Sequence, residues 1–338
     1  MPSKRQFLRR LAALAATGLG VTSPIDTNGD GPRSAVAGGR YDPTVAASAS
    51  VDTVATGRLD PTALAATGLP SGVGGRVRRL LGRYDAVSLA DVRRATGSVA
   101  LTADGPEGCM TAVGDIDAAA LVAALDADPE IVREPADDSG FSRFRARGLG
   151  SAVAVADGEL VAAAGPDPTV AATHRDAGIG GGAASVGDRR ASTAGSYGPL
   201  PRLLDGDAAV CVDLGPDARA HLRDALADAP AELRTAIDAS GAVGASLRVI
   251  DDREDGLRVA VRYGAVADPR RLDGDTVTAL ARLAREGEPS LAAASVTRHG
   301  RAVIVDGVVD SDDSDLFAAH ASLLGATVGD TVEVGGAA

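Results

Sequence analysis

The chain has 338 residues, a formal net charge of −12 and 45% hydrophobic residues, with four Phe, four Tyr and no Trp. A chain this acidic repels phosphate backbones, which argues against a nucleic-acid partner. The shortage of aromatic rings argues against surfaces that stack sugars or single-stranded nucleic acid.

The N-terminal region has the layout of an export signal. SKRQFLRR (3–10) is basic, and the weakly apolar run 11–21 follows it. That run is shorter than the about 20 apolar residues that a membrane-spanning helix needs, so we expect no stable transmembrane span beyond the signal segment. Ala35 and Ala37 form the A-x-A pattern that a signal peptidase requires, which predicts cleavage of a signal peptide over 1–37. The alternative is an amphipathic N-terminal helix that packs on the domain.

The basic stretch resembles the twin-arginine export motif, which reads Ser/Thr-Arg-Arg-x-Phe-Leu-Lys. Ser3, Arg5, Phe7 and Leu8 fall in register with it, and Lys4 replaces the first arginine. The resemblance implies export of the folded protein by a twin-arginine-type route, and therefore an extracellular or cell-surface location.

The first half of the mature chain predicts a flexible tether over 38–50 and then an ordered α+β repeat over 51–177. The element order is strand, helix, hairpin, helix, hairpin, helix. The predicted elements are a strand at 51–59, a helix at 74–84, a hairpin of 96–105 and 108–117 around a Pro-Glu-Gly turn, a helix over 115–128 entered through an Asp cap, a hairpin at 151–165 turning at Asp157-Gly158, and a short helix at 166–176.

A Gly/Ser-rich linker is predicted over 178–206, followed by a second repeat over 207–325 and a tail over 326–338. The second repeat has the same element order. Its elements are a strand at 207–215, a helix at 216–238 with a break near Pro230, a hairpin of 243–252 and 256–266, a helix at 274–286, a hairpin at 291–307 turning at His299-Gly300, and a helix at 313–324.

Each half therefore reads approximately β-α-β-β-α-β-β-α, with corresponding elements about 140–160 residues apart. The predicted fold class is α+β, with two related β-α-β-β-α-β(β-α) repeats and largely antiparallel sheets. The order within each half is that of a ferredoxin-like unit. Alternating hairpins and helices also predict that helices cover one face of the sheet.

Several stretches could suggest a ligand or metal site, and we favour a structural interpretation of each. The glycine run 178–183 follows a predicted helix, whereas a dinucleotide-binding run follows a strand, so it indicates a helix stop and linker. DTNGDG (26–31) matches half of a calcium loop, but Ala37 occupies the position of the last ligand. Asp310, Asp312, Asp313 and Asp315 are interpreted as a solvated helix cap.

The histidines and cysteines lack the spacing of a metal site. The four histidines are His174, His221, His299 and His320, and a zinc site would need the fold to bring them together. Cys109 and Cys211 lie on different predicted strands. Two buried free thiols are favoured over the disulfide that export would permit. We predict no catalytic residue, no cofactor and no metal.

The composition and three segments resemble a group of exported haloarchaeal proteins without an assigned function. The segments are TGSVAL (96–101), TAVGDIDAAALVAAL (111–125) and AVAVADGELVAAAG (152–165). The resemblance implies a salt-adapted protein whose carboxylate surface stays hydrated in molar salt. We expect an exported, non-catalytic protein with a binding or structural role and an unidentified partner. The alternative is an exported hydrolase that uses dispersed carboxylates such as Asp115 and Asp117.

Overall fold

The computed structural model describes residues 41–60, 91–135, 138–180, 198–225, 238–253, 256–267 and 295–311, together with 234–235, 274–275 and 278. Most of these residues belong to one sheet. Its strands are β1 (Val51–Leu59), β2 (Val92–Thr102), β3 (Gly105–Gly114), β4 (Ile131–Arg133), β5 (Ser142–Ala146), β6 (Ser151–Ala156), β7 (Glu159–Ala164), β8 (Ala208–Asp213), β9 (Ser240–Arg253), β10 (Gly256–Ala267), β11 (Ser295–His299) and β12 (Ala302–Ser311).

The described helices are short. They are α1 (Pro43–Ala46), α2 (Ala118–Ala127), α3 (Pro168–Gly180), α4 (Leu200–Leu203) and α5 (Pro216–Ala225). In the described part of the chain, no helix has both the length and the apolar character needed to cross a membrane.

The twelve strands form a single sheet in the order β11-β12-β10-β9-β8-β1-β2-β3-β7-β6-β5-β4. Every pairing among the described strands is antiparallel, so the α+β class with a largely antiparallel sheet is confirmed. The ferredoxin-like arrangement is not what the described strands form, because a split βαβ unit contains parallel strands. The two halves meet where β1 pairs with β8 and share one sheet.

Helices cover both faces of the sheet, whereas the sequence predicted cover on one face. Neighbouring residues of a strand point to opposite faces. Ala208 belongs to the apolar cluster of Leu121 and Leu125 from α2, while Ala209 belongs to the cluster of Leu200 from α4. The central strands are therefore buried on both sides, and their small residues allow helices to approach from each.

One transverse row of residues places α3 and α4 on the same face. Cys109 pairs with Ser98, Ser98 with Thr56, and Thr56 with Cys211, so all four side chains share a face. Cys109 packs under α3, and Cys211 lies in the cluster under α4. We call this the α3/α4 face.

The first predicted hairpin is correct, but its turn is wrong. Thr102 pairs with Gly105, so the turn is Ala103-Asp104, and the Pro-Glu-Gly segment lies inside β3. Gly105 has a φ of 126°, a conformation that favours glycine. Pro106 is tolerated because β3 pairs with β7 only from Gly108 onward, so the proline precedes the part of the strand that is paired on both sides.

The other predicted elements that fall on described residues have the expected type. The second hairpin turns at Asp157-Gly158, and Gly158 has a φ of 69°. The hairpin of β11 and β12 turns at Gly300-Arg301, one residue beyond the prediction. Asp117 caps α2 by accepting a hydrogen bond from the Ala120 amide at 2.9 Å.

Two predictions about irregular segments need correction, and one hairpin was not predicted. Residues 41–50 of the expected tether pack on the domain, and Pro43 in α1 is fully buried. α3 continues to Gly180, so the glycine run begins inside a helix and not in a linker. A Cβ at Gly178 would lie 2.7 Å from the Cys109 sulfur, so glycine there lets α3 approach the sheet. The hairpin of β4 and β5 was not predicted, since its strands are short and rich in arginine.

The signal segment 1–37, the predicted helices at 74–84 and 313–324, most of the one at 274–286 and the tail lie outside the described residues. The same holds for His320 and three of the four aspartates in the 310–315 cluster.

Candidate functional site

The residues considered for catalysis or metal binding do not converge. Asp115 forms an exposed ion pair with Arg93 at 3.2 Å, and Asp117 is the helix cap described above. His174 is fully buried, whereas His299 is exposed at the end of β11. Within the described residues, no group of three His, Cys, Asp or Glu side chains could hold a metal ion.

Cys109 and Cys211 are both buried free thiols. They lie in one row, three strand spacings apart, which corresponds to about 14 Å at the usual strand separation. A disulfide requires Cα atoms within about 7 Å. The thiols therefore cannot pair without moving strands of the sheet, and burial raises the pKa of each to about 12.

A buried polar cluster lies between α1, α3 and β3, and we call it the α3 network. The Tyr41 hydroxyl and Nδ1 of His174 form a hydrogen bond, and Nε2 of that ring lies 3.4 Å from a Glu107 oxygen. The Glu107 carboxylate also accepts from the Ser48 amide at 2.9 Å and from the Ser48 hydroxyl at 2.8 Å. Glu107 and His174 are both fully buried. The cluster fastens both ends of the α1 segment to the sheet.

The geometry assigns the protonation state of the ring. The carboxylate of Glu107 faces Nε2 and is an acceptor, so a neutral imidazole carries its hydrogen on Nε2, and Nδ1 then accepts from the Tyr41 hydroxyl. The Nε2 contact is too poorly aligned to count as a hydrogen bond. Burial lowers the pKa of His174, and the nearby Glu107 only partly opposes that effect. The imidazole is therefore neutral near pH 7.

The α3 network contains the residue types of a Cys-His-Glu catalytic triad but lacks their activation. The Cys109 thiol lies beside Tyr41, and burial raises its pKa to about 12, so it is not a thiolate nucleophile. Burial also raises the pKa of Tyr41, and Cys109 adds to the effect. Glu107, His174 and Cys109 are buried from solvent, and we assign the cluster a structural role.

A second polar centre lies in the other half, on the α3/α4 face. It is a cleft of about 380 Å³ over β9, β10 and β12, and we call it the β9–β12 cleft. Its charged or hydroxyl-bearing lining residues are Asp205, Ser246, Arg248, Arg262, Ser295 and Asp306.

Strand register brings these side chains together. Ser246 pairs with Arg262, which pairs with Asp306, which pairs with Ser295, so one row crosses four strands. Arg248 follows two residues after Ser246 and points to the same face. The α4 segment adds the cleft's remaining acid, Asp205. Gly264 and Gly244 leave room for the leucines that anchor that segment.

Ion pairs hold the arginines in place. Asp205 accepts from Arg58 at 3.3 Å through one oxygen and from Arg248 at 2.5 Å through the other. Arg262 donates to Asp306 at 2.5 Å and to the Leu203 carbonyl at 2.8 Å. Burial alone would raise the pKa of Asp205, but Arg248 and Arg58 outweigh burial and hold that pKa below its usual value.

One hydroxyl of the cleft has no partner within the described residues. Ser246 is 6% exposed, and its Oγ makes no hydrogen bond there. Buried hydroxyls usually find a partner, so the Ser246 hydroxyl is available to a water or a ligand in the cleft.

The sequence carried a partial signal for this cleft. The alternation in LRVAVRY (257–263) predicts one wet face, and Arg258 is exposed while Val259 and Val261 are buried. The contribution of the α4 segment could not be predicted, because it joins the site through tertiary packing.

No family model and no curated protein matches this chain. Among solved structures, it is similar to TP0453 in crystal form I, with a TM-score of 0.42 and 12% identity over 84% of this chain and 97% of that one. Crystal form IV of TP0453 has a TM-score of 0.42 and 10% identity over 83% and 97%. A similarity at this level carries no inference about function.

Proposed function

We propose that the protein is an exported, non-catalytic binding protein of the cell surface or exterior, whose ligand occupies the β9–β12 cleft. The observation that carries the proposal is this cleft of about 380 Å³, where charged side chains surround a buried hydroxyl without a partner in the described chain. Its volume is in the range of small-molecule sites, about 300–1,000 Å³.

A binding role is favoured over the hydrolase alternative. The two carboxylates suggested for hydrolysis are occupied as an ion-pair partner and a helix cap, and Asp115 is 81% exposed. In the cleft, Arg248 and Arg58 hold the pKa of Asp205 below its usual value, which makes that carboxylate unsuited to donate a proton as a general acid.

The export part of the proposal rests on SKRQFLRR, the apolar run and the A-x-A pattern. We expect the secreted protein to begin at Gly38, which mass spectrometry of the culture supernatant would test. Arg5→Gln should abolish export, and Arg33→Gln, outside the motif, should not. Secretion of the Arg5→Gln variant at the unmodified level would contradict a twin-arginine-type route.

We also propose that the halves are two copies of one unit. Outward from the centre, the strand order is β1-β2-β3-β7-β6 on one side and β8-β9-β10-β12-β11 on the other. Two residues connect the strands of both hairpins in each half. The short helix α1 precedes β1 and lies near β3, and the short helix α4 precedes β8 and lies near β10. An experimental structure whose halves fail to superpose would refute the repeat.

Binding in the cleft can be tested by blocking it. Ala260 lines the cleft, so Ala260→Phe should fill it, while Ala119→Phe makes the same change on the exposed surface of α2. A panel of small metabolites would be screened by thermal shift at molar salt. Compounds should stabilise the wild type and Ala119→Phe but not Ala260→Phe. Equal stabilisation of all three proteins would exclude the cleft as the site.

A further inference from the structure

We propose that the ligand of the β9–β12 cleft carries a small oxyanion, a carboxylate or a phosphate, and that Arg248, Arg262 and Ser246 bind it. The inference rests on the proposed binding function and specifies the chemistry of the ligand.

Most polar groups of the cleft that remain available for a ligand are hydrogen-bond donors. Both oxygens of Asp205 already accept hydrogen bonds from arginines, and Asp306 accepts from Arg262. Arg248 gives only its Nη2 to a described partner, although a guanidinium has five N–H donors. The Nε and Nη1 of Arg262 are bound, and its Nη2 has no partner within the described residues. The free groups are therefore mainly donors, which suit a ligand with acceptor oxygens.

The local charge at the cleft also favours an anionic ligand. The Asp205 carboxylate is shared by two guanidinium groups, that of Arg248 in the cleft and that of Arg58 beside it, whereas Asp306 pairs with Arg262. One carboxylate therefore compensates two positive charges at this end of the cleft, in a chain whose formal net charge is −12. An anionic ligand would compensate this excess, whereas a cation would be repelled by the arginines.

The register of β9 and β10 places the three proposed binding residues close together. Ser246 lies directly opposite Arg262, and Arg248 lies opposite Ala260, so the two arginines are diagonal neighbours on one face. Diagonal neighbours in a sheet are about 7–8 Å apart at their Cα atoms, within the reach of long side chains. The Arg248 guanidinium and the Nη2 group of Arg262 can therefore reach one oxyanion, and guanidinium groups match carboxylate and phosphate geometry. Ser246 is a neighbour of both arginines, since it lies opposite Arg262 and two residues before Arg248.

The test is calorimetric titration of the full mature protein at fixed molar salt with three probes: succinate, inorganic phosphate and the neutral analogue succinamide. We expect succinate or phosphate to bind and succinamide to bind at least about tenfold more weakly, since hydrogen bonds to charged groups are the stronger ones. Binding of succinate but not phosphate would identify a carboxylate ligand. Binding of phosphate but not succinate would identify a phosphate ligand.

Variants locate the binding groups. Arg248→Gln should lower the affinity for the anion about tenfold or more, and Ser246→Ala should lower that affinity by a smaller factor. Arg223→Gln is the matched control, because Arg223 also forms a partly exposed ion pair. The Arg223 and Asp238 side chains are 55% and 35% exposed, and those of Arg248 and Asp205 are 46% and 38% exposed. That control should leave the affinity unchanged. Thermal unfolding would verify that each variant is folded.

Three outcomes would overturn the inference: neither anion binds, succinamide binds as well as succinate, or Arg248→Gln has no more effect than Arg223→Gln. The proposed function fails separately. If a neutral compound binds the wild type but does not bind Ala260→Phe, the cleft is a binding site and only the assignment of an anion is wrong. If nothing binds in the cleft in either experiment, both proposals are wrong.

Discussion

The α3 network and the β9–β12 cleft lie on the same face of one sheet, each over the third strand of its half, yet they treat polar groups differently. In the first half, α3 covers β3, and Glu107 and His174 are fully buried. In the second half, the charged side chains over β10 are between 37% and 46% exposed where they line the cleft. The same sheet position can thus hold either a structural cluster with a buried centre or an accessible site.

This difference matters because residue type alone suggests the opposite assignment. The α3 network contains His, Glu, Cys and Tyr, the side chains most often used in catalysis, whereas the cleft contains ordinary arginine–aspartate pairs. Burial reverses the expectation, because desolvation keeps the Cys109 thiol protonated and the His174 ring neutral. Four predictions test whether the two centres differ in this way.

The largest expected effect is the loss of the buried carboxylate. Glu107→Ala removes the acceptor of both Ser48 hydrogen bonds and the carboxylate that faces the His174 ring. Hydrogen bonds to a charged group contribute about 1.5–3 kcal/mol each, so we expect the loss of two to cost about 3 kcal/mol or more. Denaturant unfolding at constant molar salt would measure the change in the free energy of unfolding.

Asp306→Ala is the matched control from the cleft, since that carboxylate is 37% exposed. Exposed ion pairs contribute about 0–1 kcal/mol. Similar losses for Glu107→Ala and Asp306→Ala would show that the two centres do not differ in the way described.

A smaller loss is expected from crowding under α3. Gly178→Ala would place a Cβ 2.7 Å from the Cys109 sulfur and 3.2 Å from Val161. Overpacking of this kind costs about 1–3 kcal/mol. Gly148→Ala is the control, because a Cβ there meets nothing within 4 Å.

The double variant Gly178→Ala/Cys109→Ala separates crowding from a general weakening of the helix. Removing the sulfur makes room for the new methyl group, so the double variant should lose less stability than the sum of the single losses. Strict additivity would mean that the contact with Cys109 is not the cause.

The third prediction concerns pH. Burial lowers the pKa of His174 in the folded protein below its ordinary 6.5, while Tyr41, Glu107 and Cys109 face the ring. The unfolded chain therefore binds the proton more readily, so this contribution to stability is complete above pH 6.5 and is lost as the pH falls through 6.5 toward the folded pKa.

Unfolding measured between pH 7.5 and 5 tests this prediction. His174→Gln should be less stable than the wild type at pH 7.5, and its stability should fall less steeply on acidification. His299→Gln, at an exposed position, should follow the wild type in slope. An unchanged slope in His174→Gln would contradict the neutral buried ring.

Much of the fold could be predicted from the sequence, because local patterns determine it. The Asp157-Gly158 turn, the Asp117 cap and the alternation along β10 each depend on neighbouring residues. The predicted Pro-Glu-Gly turn was wrong because Pro106 and Glu107 resemble a turn locally, yet Ala103 and Asp104 form the turn and Gly105 already pairs with Thr102.

Neither polar centre could be predicted, because both depend on contacts between distant residues. Tyr41 and His174 are 133 positions apart, and Arg58 and Asp205 are 147 apart. His174 was considered a surface or structural histidine, and only its partners on α1 and β3 distinguish the buried cluster. The row from Ser246 to Ser295 requires the register of four strands, which one sequence does not specify.

The smallest expected change is in the stability of Arg248→Gln, and its size decides how the cleft is understood. The Arg248 side chain is 46% exposed, and its ion pair with Asp205 is screened in molar salt, so the free energy of unfolding should fall by about 0–1 kcal/mol. A loss comparable to that of Glu107→Ala would mean that the cleft arginines serve the fold. A small loss combined with weaker anion binding would mean that these charges are kept in the cleft for a ligand.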